Sequence, residues 1–314
     1  MAEPAIIEGS PLVSATETSR LVSTFLSGRS QRTIDAYQRD LEDFRQYLGA
    51  VSVDAAARLL LASAHGTANA TALDYRTHLL NRGLQPSTIN RRLAALRSLV
   101  KLANTIGLVS WSISIPGVKS EKYRDTRGPG VDGFAAILAA ARRQKGAKAI
   151  RDVAMLRLLH DIGLRRGELV ALDAADVELH ECRVFVMGKG RNEKQALTLP
   201  EPTLAALREW LELRGGEPGP LFVNFDRARK GDGRLTGAAI YALVKRLGDI
   251  TGHKTRPHGL RHLAITSALD ATNGDVRAVQ RFSRHRDMRS LSFYDDNRQD
   301  LAGNVAGLVA ASCV

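Results

Sequence analysis

Four short stretches of this 314-residue chain carry the side chains that could do chemistry. The first is Gly163-Leu164-Arg165-Arg166-Gly167-Glu168-Leu169. The second is Gly188-Lys189-Gly190. The third is His258-Gly259-Leu260-Arg261-His262. The fourth is Arg284-His285, with Tyr294 nine positions after the histidine. Arginine and lysine grip oxyanions, and a tyrosine hydroxyl becomes a nucleophile once a base or a strongly positive site removes its proton. Singly, each has an ordinary reading: a solvated arginine at a helix start, a lysine in a surface turn, a packed tyrosine. His258 and His262, four apart, share a helix face and raise the alternative of zinc. No glutamate flanks His258 as in a metalloprotease helix, and no third ligand is evident, so no metal is expected.

The elements that must hold these stretches are mostly helical. Residues 1–13 read as a flexible leader and 14–112 as an N-terminal helical bundle. There Ile34, Tyr37, Leu41, Phe44 and Leu48 draw one apolar stripe that Gly49 ends. Ile89, Leu93, Leu96, Val100 and Ala103 draw a second, with Ser87 as N-cap and Gly107 after it. Weaker helical segments lie at about 16–27, 53–63 and 70–81. Residues 113–130 hold Pro116, Gly117, Gly128, Pro129 and Gly130 among basic residues and read as a linker. Residues 131–314 read as a second domain. Its helices are predicted at 131–145, 148–162, 165–172, 201–214, 236–250, 258–271 and 275–284, around strands at Arg183–Met187 and Gln195–Leu199. The fold class is thus mostly α with a small β-hairpin, an α+β domain behind a helical bundle.

Lys and Arg number 45 against 33 Asp and Glu, a formal charge of +12 and a pI near 10.1, which points to a polyanionic partner. The excess is +3 over residues 1–110 and +9 beyond. Two cysteines, Cys182 and Cys313, make no disulfide framework and fit a reducing, cytoplasmic setting. No apolar run approaches the ~18 residues a membrane span needs. No basic-then-apolar leader marks a signal peptide. No Gly-x-x-x-x-Gly-Lys-Ser/Thr loop offers a nucleotide site.

In order and spacing, the four stretches resemble the tyrosine recombinase, or phage integrase, family. The family's Thr-Gly-Leu-Arg-x-x-Glu-Leu stretch is matched at Arg165 and Glu168, with Ile162 in place of the threonine. Its hairpin lysine is matched by Lys189 and its His-x-Leu-Arg-His box by His258 to His262. Its Leu-Gly-His box is present as Ser283-Arg284-His285, so only the histidine is kept. Its tyrosine is matched by Tyr294.

The resemblance implies a site-specific enzyme that cuts and rejoins DNA through a 3′-phosphotyrosyl link, without metal, ATP or other cofactor. Arg165 and Arg261 are expected to hold the phosphate. Lys189 is expected as the acid for the 5′ oxygen, His258 as the base, and His285 as a hydrogen-bond donor. Glu168 and His262 are expected in support. DNA contacts are expected from Arg91, Arg92, Arg97, Lys101, Lys119, Lys122, Arg284 and Arg286, although Arg281 and Arg284 could instead pair inside the protein. The partner is double-stranded DNA, clamped between the two domains. A homotetramer on DNA is expected, its C-terminal tail, with Leu301, Val305 and Leu308 on one face, exchanged between subunits; the alternative is packing on its own domain. The competing functions are a type IB topoisomerase and a non-catalytic DNA-binding protein on the same fold.

Overall fold

The computed structural model describes residues 14–28, 31–119, 128–188, 191–225 and 233–291, with positions 303, 306 and 309–311 near the end. The chain divides into two compact units, residues 1–121 and 122–314.

Among the described residues, the first unit is a five-helix bundle. α1 (Ala15–Leu26) opens on a reciprocal cap: Ser14 Oγ accepts from the Glu17 N–H at 3.1 Å, and the Glu17 carboxylate accepts from the Ser14 N–H at 2.9 Å. α2 (Gln31–Leu48) carries the predicted stripe and stops at Gly49, whose φ is +64°. α3 (Val53–Leu61) is capped by Ser52, whose Oγ accepts from the Ala55 N–H. α4 (His65–Asn81) begins five residues before its predicted start. Its buried face is Ala68, Ala72, Tyr75 and Leu79, and two alanines carry too little hydrophobic weight to show as a stripe. α5 (Pro86–Thr105) begins at Pro86, not after a Ser87 cap; proline lacks the N–H that a first helical residue would leave unpaired.

The segment 113–118, read as the start of a linker, is instead strapped to this bundle. Ile113 and Ile115 are buried. Asn90 brackets Val118 with two hydrogen bonds, at 2.8 and 2.9 Å, and Arg76 donates to the Pro116 carbonyl at 3.0 Å.

The second unit is mostly helical with one small sheet. α6 (Gly130–Arg142) and α7 (Ala147–Asp161) lead to α8 (Arg166–Ala171). Three antiparallel strands follow in the order β1 (Val177–Glu178), β2 (Arg183–Met187), β3 (Lys194–Thr198), with Val184 opposite Leu197. β1 was not predicted, because two residues are too few to show alternation. α9 (Glu201–Arg214), α10 (Gly237–Ile250), α11 (Pro257–Ala271) and α12 (Val276–Ser283) complete the described helices. α7 is the centre of the core. Ala154, Met155, Leu156, Leu158 and Leu159 are all fully buried, and α6, α9 and α11 pack around it. None of the described helices is long and apolar enough to cross a membrane.

One glycine fixes the position of α11. A Cβ on Gly128 would lie 2.5 Å from Leu263 Cβ and 2.6 Å from the Gly259 carbonyl oxygen, so the chain passes too close to α11 for any side chain. Gly128→Ala is expected to cost about 1–3 kcal/mol through overpacking against backbone that cannot give way. Urea unfolding of the two proteins measures this, and an unchanged midpoint would refute the close-packing argument.

Candidate active site

Arg165 stands immediately before α8 with an extended backbone. Its own N–H donates to Glu168 Oε2 at 2.9 Å, and its guanidinium Nη1 donates to Glu168 Oε1 at 2.6 Å. Its Nη2 donates to the carbonyl of Arg284 at 3.2 Å. The Glu168 side chain is 4% exposed. Burial works against its charge, but Arg284 and then Arg165 outweigh that and hold its carboxyl below the ordinary glutamate value. It is therefore an ionised carboxylate that serves two arginines at once.

Arg261 lies in the second turn of α11, and the residue is 2% exposed. Its Nη1 donates to the Gly163 carbonyl and its Nη2 to the Ser283 carbonyl. These two bonds tie α11 to the segment before Arg165 and to the end of α12. His258, in the first turn, is exposed. His262, one turn further on, is 3% exposed and does not reach the pocket described below.

α12 ends at Ser283, and Arg284 turns the chain with φ +57° and ψ +36°, the left-handed conformation. His285 follows, half-buried, with Nδ1 2.8 Å from Ser283 Oγ. Burial, and then the charges of Arg261, Arg165, His258 and Arg284, push its pKa down to about 4. At neutral pH it is an uncharged imidazole.

Arg165, His258, Arg261 and His285 come from three separate stretches and line one open pocket of about 370 Å³. Its other walls are Leu164, Arg166, Tyr241, Arg256 and Pro257. Of these, Arg166 and Arg256 are cations that the motif reading passed over. Arg166 adjoins Arg165 in sequence, and Arg256 stands two residues before His258, so adjacency to the motifs was the available signal. Lys189 and Tyr294 lie outside the described residues, as does Lys122. Among the described residues, no three His, Cys, Asp or Glu side chains converge as a metal cluster.

The other basic residues fall into two groups. Lys101, Lys119 and Arg286 are exposed. Arg91 is 44% exposed and pairs with Asp40. Arg92 is 14% exposed and pairs with Asp43 at 2.8 Å, while Arg97 donates to the Ile115 carbonyl at 2.7 Å. Arg284 corrects the expected surface contact with DNA. Its side chain is 5% exposed and points inward to Glu168 at 3.0 Å, which is the internal pairing that the sequence left open.

An open basic pocket on a mostly helical unit with a three-stranded sheet fits an enzyme acting on a phosphodiester. Residues 132–300 match the phage integrase family, and residues 25–105 match the phage integrase N-terminal SAM-like domain. The chain belongs to the phage integrase family, the tyrosine recombinases, which cleave and rejoin DNA strands. A tyrosine recombinase of Synechocystis sp. is 40% identical over 90% of this chain and 91% of its own length. One from Synechococcus elongatus is 37% identical over 95% of each. The tyrosine recombinase XerC of Alcanivorax borkumensis is 31% identical over 88% of this chain and 89% of its own. Among solved structures, the Tn1549 transposon integrase in complex with transposon right end DNA aligns with a TM-score of 0.71 at 15% identity, covering 93% of this chain and 99% of that one. XerH bound to palindromic difH substrate aligns at 0.66 and 18%, covering 95% and 85%. These two share the fold. The curated relatives are named as recombinases, which does not favour the topoisomerase or non-catalytic readings.

The lowered pKa of His285 has a defined sign. Between the ordinary histidine value of about 6.5 and the folded value of about 4, the unfolded chain takes up a proton that the native protein does not. Stability from this group is therefore full above pH 6.5 and lost as the pH falls toward 4. In the DNA-free protein, His285→Asn is expected to flatten the fall in urea midpoint between pH 7 and pH 5. An NMR titration should assign no imidazole transition of His285 above pH 5, and one near 6.5 would refute the buried neutral imidazole.

Proposed function

We propose that the chain performs site-specific recombination on double-stranded DNA by attack of Tyr294 Oη on the scissile phosphorus. The P–O5′ bond breaks as the P–O(Tyr) bond forms, leaving a 3′-phosphotyrosyl link and a free 5′ hydroxyl. Arg165 and Arg261 hold the non-bridging oxygens as charge grows in the transition state. Lys189 protonates the departing 5′ oxygen, and His258 takes the tyrosine proton. Neutral His285 supplies a hydrogen-bond donor to the phosphate. In rejoining, the 5′ hydroxyl of a partner strand displaces the tyrosine, so the phosphotyrosine conserves the bond energy and no nucleotide is consumed. The observation that carries this reading is the convergence of Arg165, His258, Arg261 and His285 on one pocket from three separate stretches.

Exposed Lys101, Lys119 and Arg286 are the proposed backbone contacts of the two units, and half-exposed Arg91, paired with Asp40, adds little. A Tyr294→Phe protein loses only the hydroxyl. It is expected to bind a suicide DNA substrate within about twofold of the parent yet form no covalent adduct on a denaturing gel. Adduct formation by the variant would remove Tyr294 from the mechanism.

Strand exchange joins two duplexes, so four active sites must meet. We infer a homotetramer on DNA in which the tail of each subunit docks on the next, a heterologous contact that closes into a ring. Support comes from the spacing of Leu301, Val305 and Leu308, which lie outside the described residues, and from Val309, which is 59% exposed within its own chain. Deleting residues 298–314 is expected to spare one-site binding and abolish the two-duplex complex. Gel shift and light scattering with one-site and two-site DNA measure this. A truncated protein that still synapses two sites would make the tail a local lid.

A further inference from the structure

Arg284 stands where the family pattern has glycine, and the backbone there takes a conformation that favours glycine. Its φ of +57° and ψ of +36° are the left-handed conformation, which a residue with a Cβ adopts only under strain. A side chain kept at such a place must return something, and its contacts show what. Nη1 donates to the carbonyls of Ile162 and Phe282, each at 3.1 Å. Nη2 donates to the Gly163 carbonyl and to Glu168 Oε2, each at 3.0 Å. The Gly163 carbonyl also accepts from Arg261, and the Arg284 carbonyl accepts from Arg165. Arg284 is thus bonded to Arg165 through its own carbonyl, and joined to Arg165 through Glu168 and to Arg261 through a shared acceptor. It is not among the walls of the pocket.

We propose that Arg284 is a positioning residue for strand cleavage: through Glu168 it fixes the guanidinium of Arg165, and through its turn it locks that arginine to His285. This rests on the reading of Arg165 and His285 as phosphate ligands. The geometry explains why a single guanidinium is needed. Two planar nitrogens reach four acceptors, three carbonyls on the segments before Arg165 and before His285 and the Glu168 carboxylate, which an ammonium cannot span. Glu168 in turn has both oxygens occupied, so loss of Arg284 leaves the carboxylate pulled by Arg165 alone and free to swing that arginine with it.

The test is a cycle of Arg284→Gly, Glu168→Gln and the double variant in the full-length protein. Arg284→Gly relieves the backbone strain, so it separates fold from positioning. Single-turnover adduct formation on a suicide substrate is read at saturating protein, beside DNA affinity by gel shift. Arg284→Gly is expected to slow adduct formation about tenfold with affinity held within about twofold. In the Glu168→Gln background the same change is expected to add less than about twofold, because the two residues act as one unit. Arg284→Lys should fall between parent and glycine variant, and it carries the same cycle should the glycine variant not fold. Adduct formation by Arg284→Gly at the parent rate, multiplication of the two single effects, or a loss confined to affinity would each overturn the proposal. Arg165→Ala keeps the two readings apart. If it abolishes the adduct while Arg284→Gly forms it at the parent rate, the positioning role fails and the site stands; if it leaves the adduct intact, the site reading fails.

Discussion

The buried carboxylate of Glu168 is the contact on which the arrangement of the site depends. It accepts from the backbone and guanidinium of Arg165 and from the guanidinium of Arg284, and it reaches them from the third position of a six-residue helix. A helix that short has little intrinsic stability. Its first turn is held by the same ion pairs that orient the arginine, so local fold and site geometry are one interaction. Charge-assisted hydrogen bonds are strong and directional, and a carboxylate already desolvated holds its partners without reorganising.

The rest of the pocket carries more positive charge than Glu168 balances. Arg165, Arg166, Arg256 and Arg261 line it, and the first turn of α11 adds the positive end of a helix dipole. Arg261 is almost fully buried and donates to two backbone carbonyls. Such a concentration of like charge favours an entering anion. The neutral state of His285 belongs to the same balance, since a further cation there would raise the repulsion.

Much of this was legible in sequence where a single period or a fixed spacing carries the signal. The stripe from Ile34 to Leu48 and Arg261 fall on the helices predicted for them, while Arg165 stands just before the helix predicted to begin with it and His285 just after one. The misses have physical reasons. α4 starts on small residues that pack by shape rather than by hydrophobic weight. The strap 113–118 is held by hydrogen bonds from Arg76, Asn90 and Arg97, and side chains to backbone leave no periodic trace. Arg284 falls three positions after Arg281, as if on one basic helix face, but α12 ends at Ser283 and the left-handed turn swings the next side chain inward. Arg92 looked like a surface cation because its partners Asp40 and Asp43 lie on another helix, about fifty residues away in sequence.

That last cluster has a consequence for how the bundle meets a polyanion. Asp40 and Asp43 are buried, and Arg82, Arg91 and Arg92 converge on them, with the Tyr75 hydroxyl donating to Asp43 at 2.7 Å. The affinity of a basic surface for a duplex comes largely from the small cations its side chains expel from the phosphates, and each free charge steepens the dependence on salt. An arginine whose charge is already met by an aspartate expels little. The first unit therefore presents less uncompensated charge to a polyanion than its count of arginines suggests.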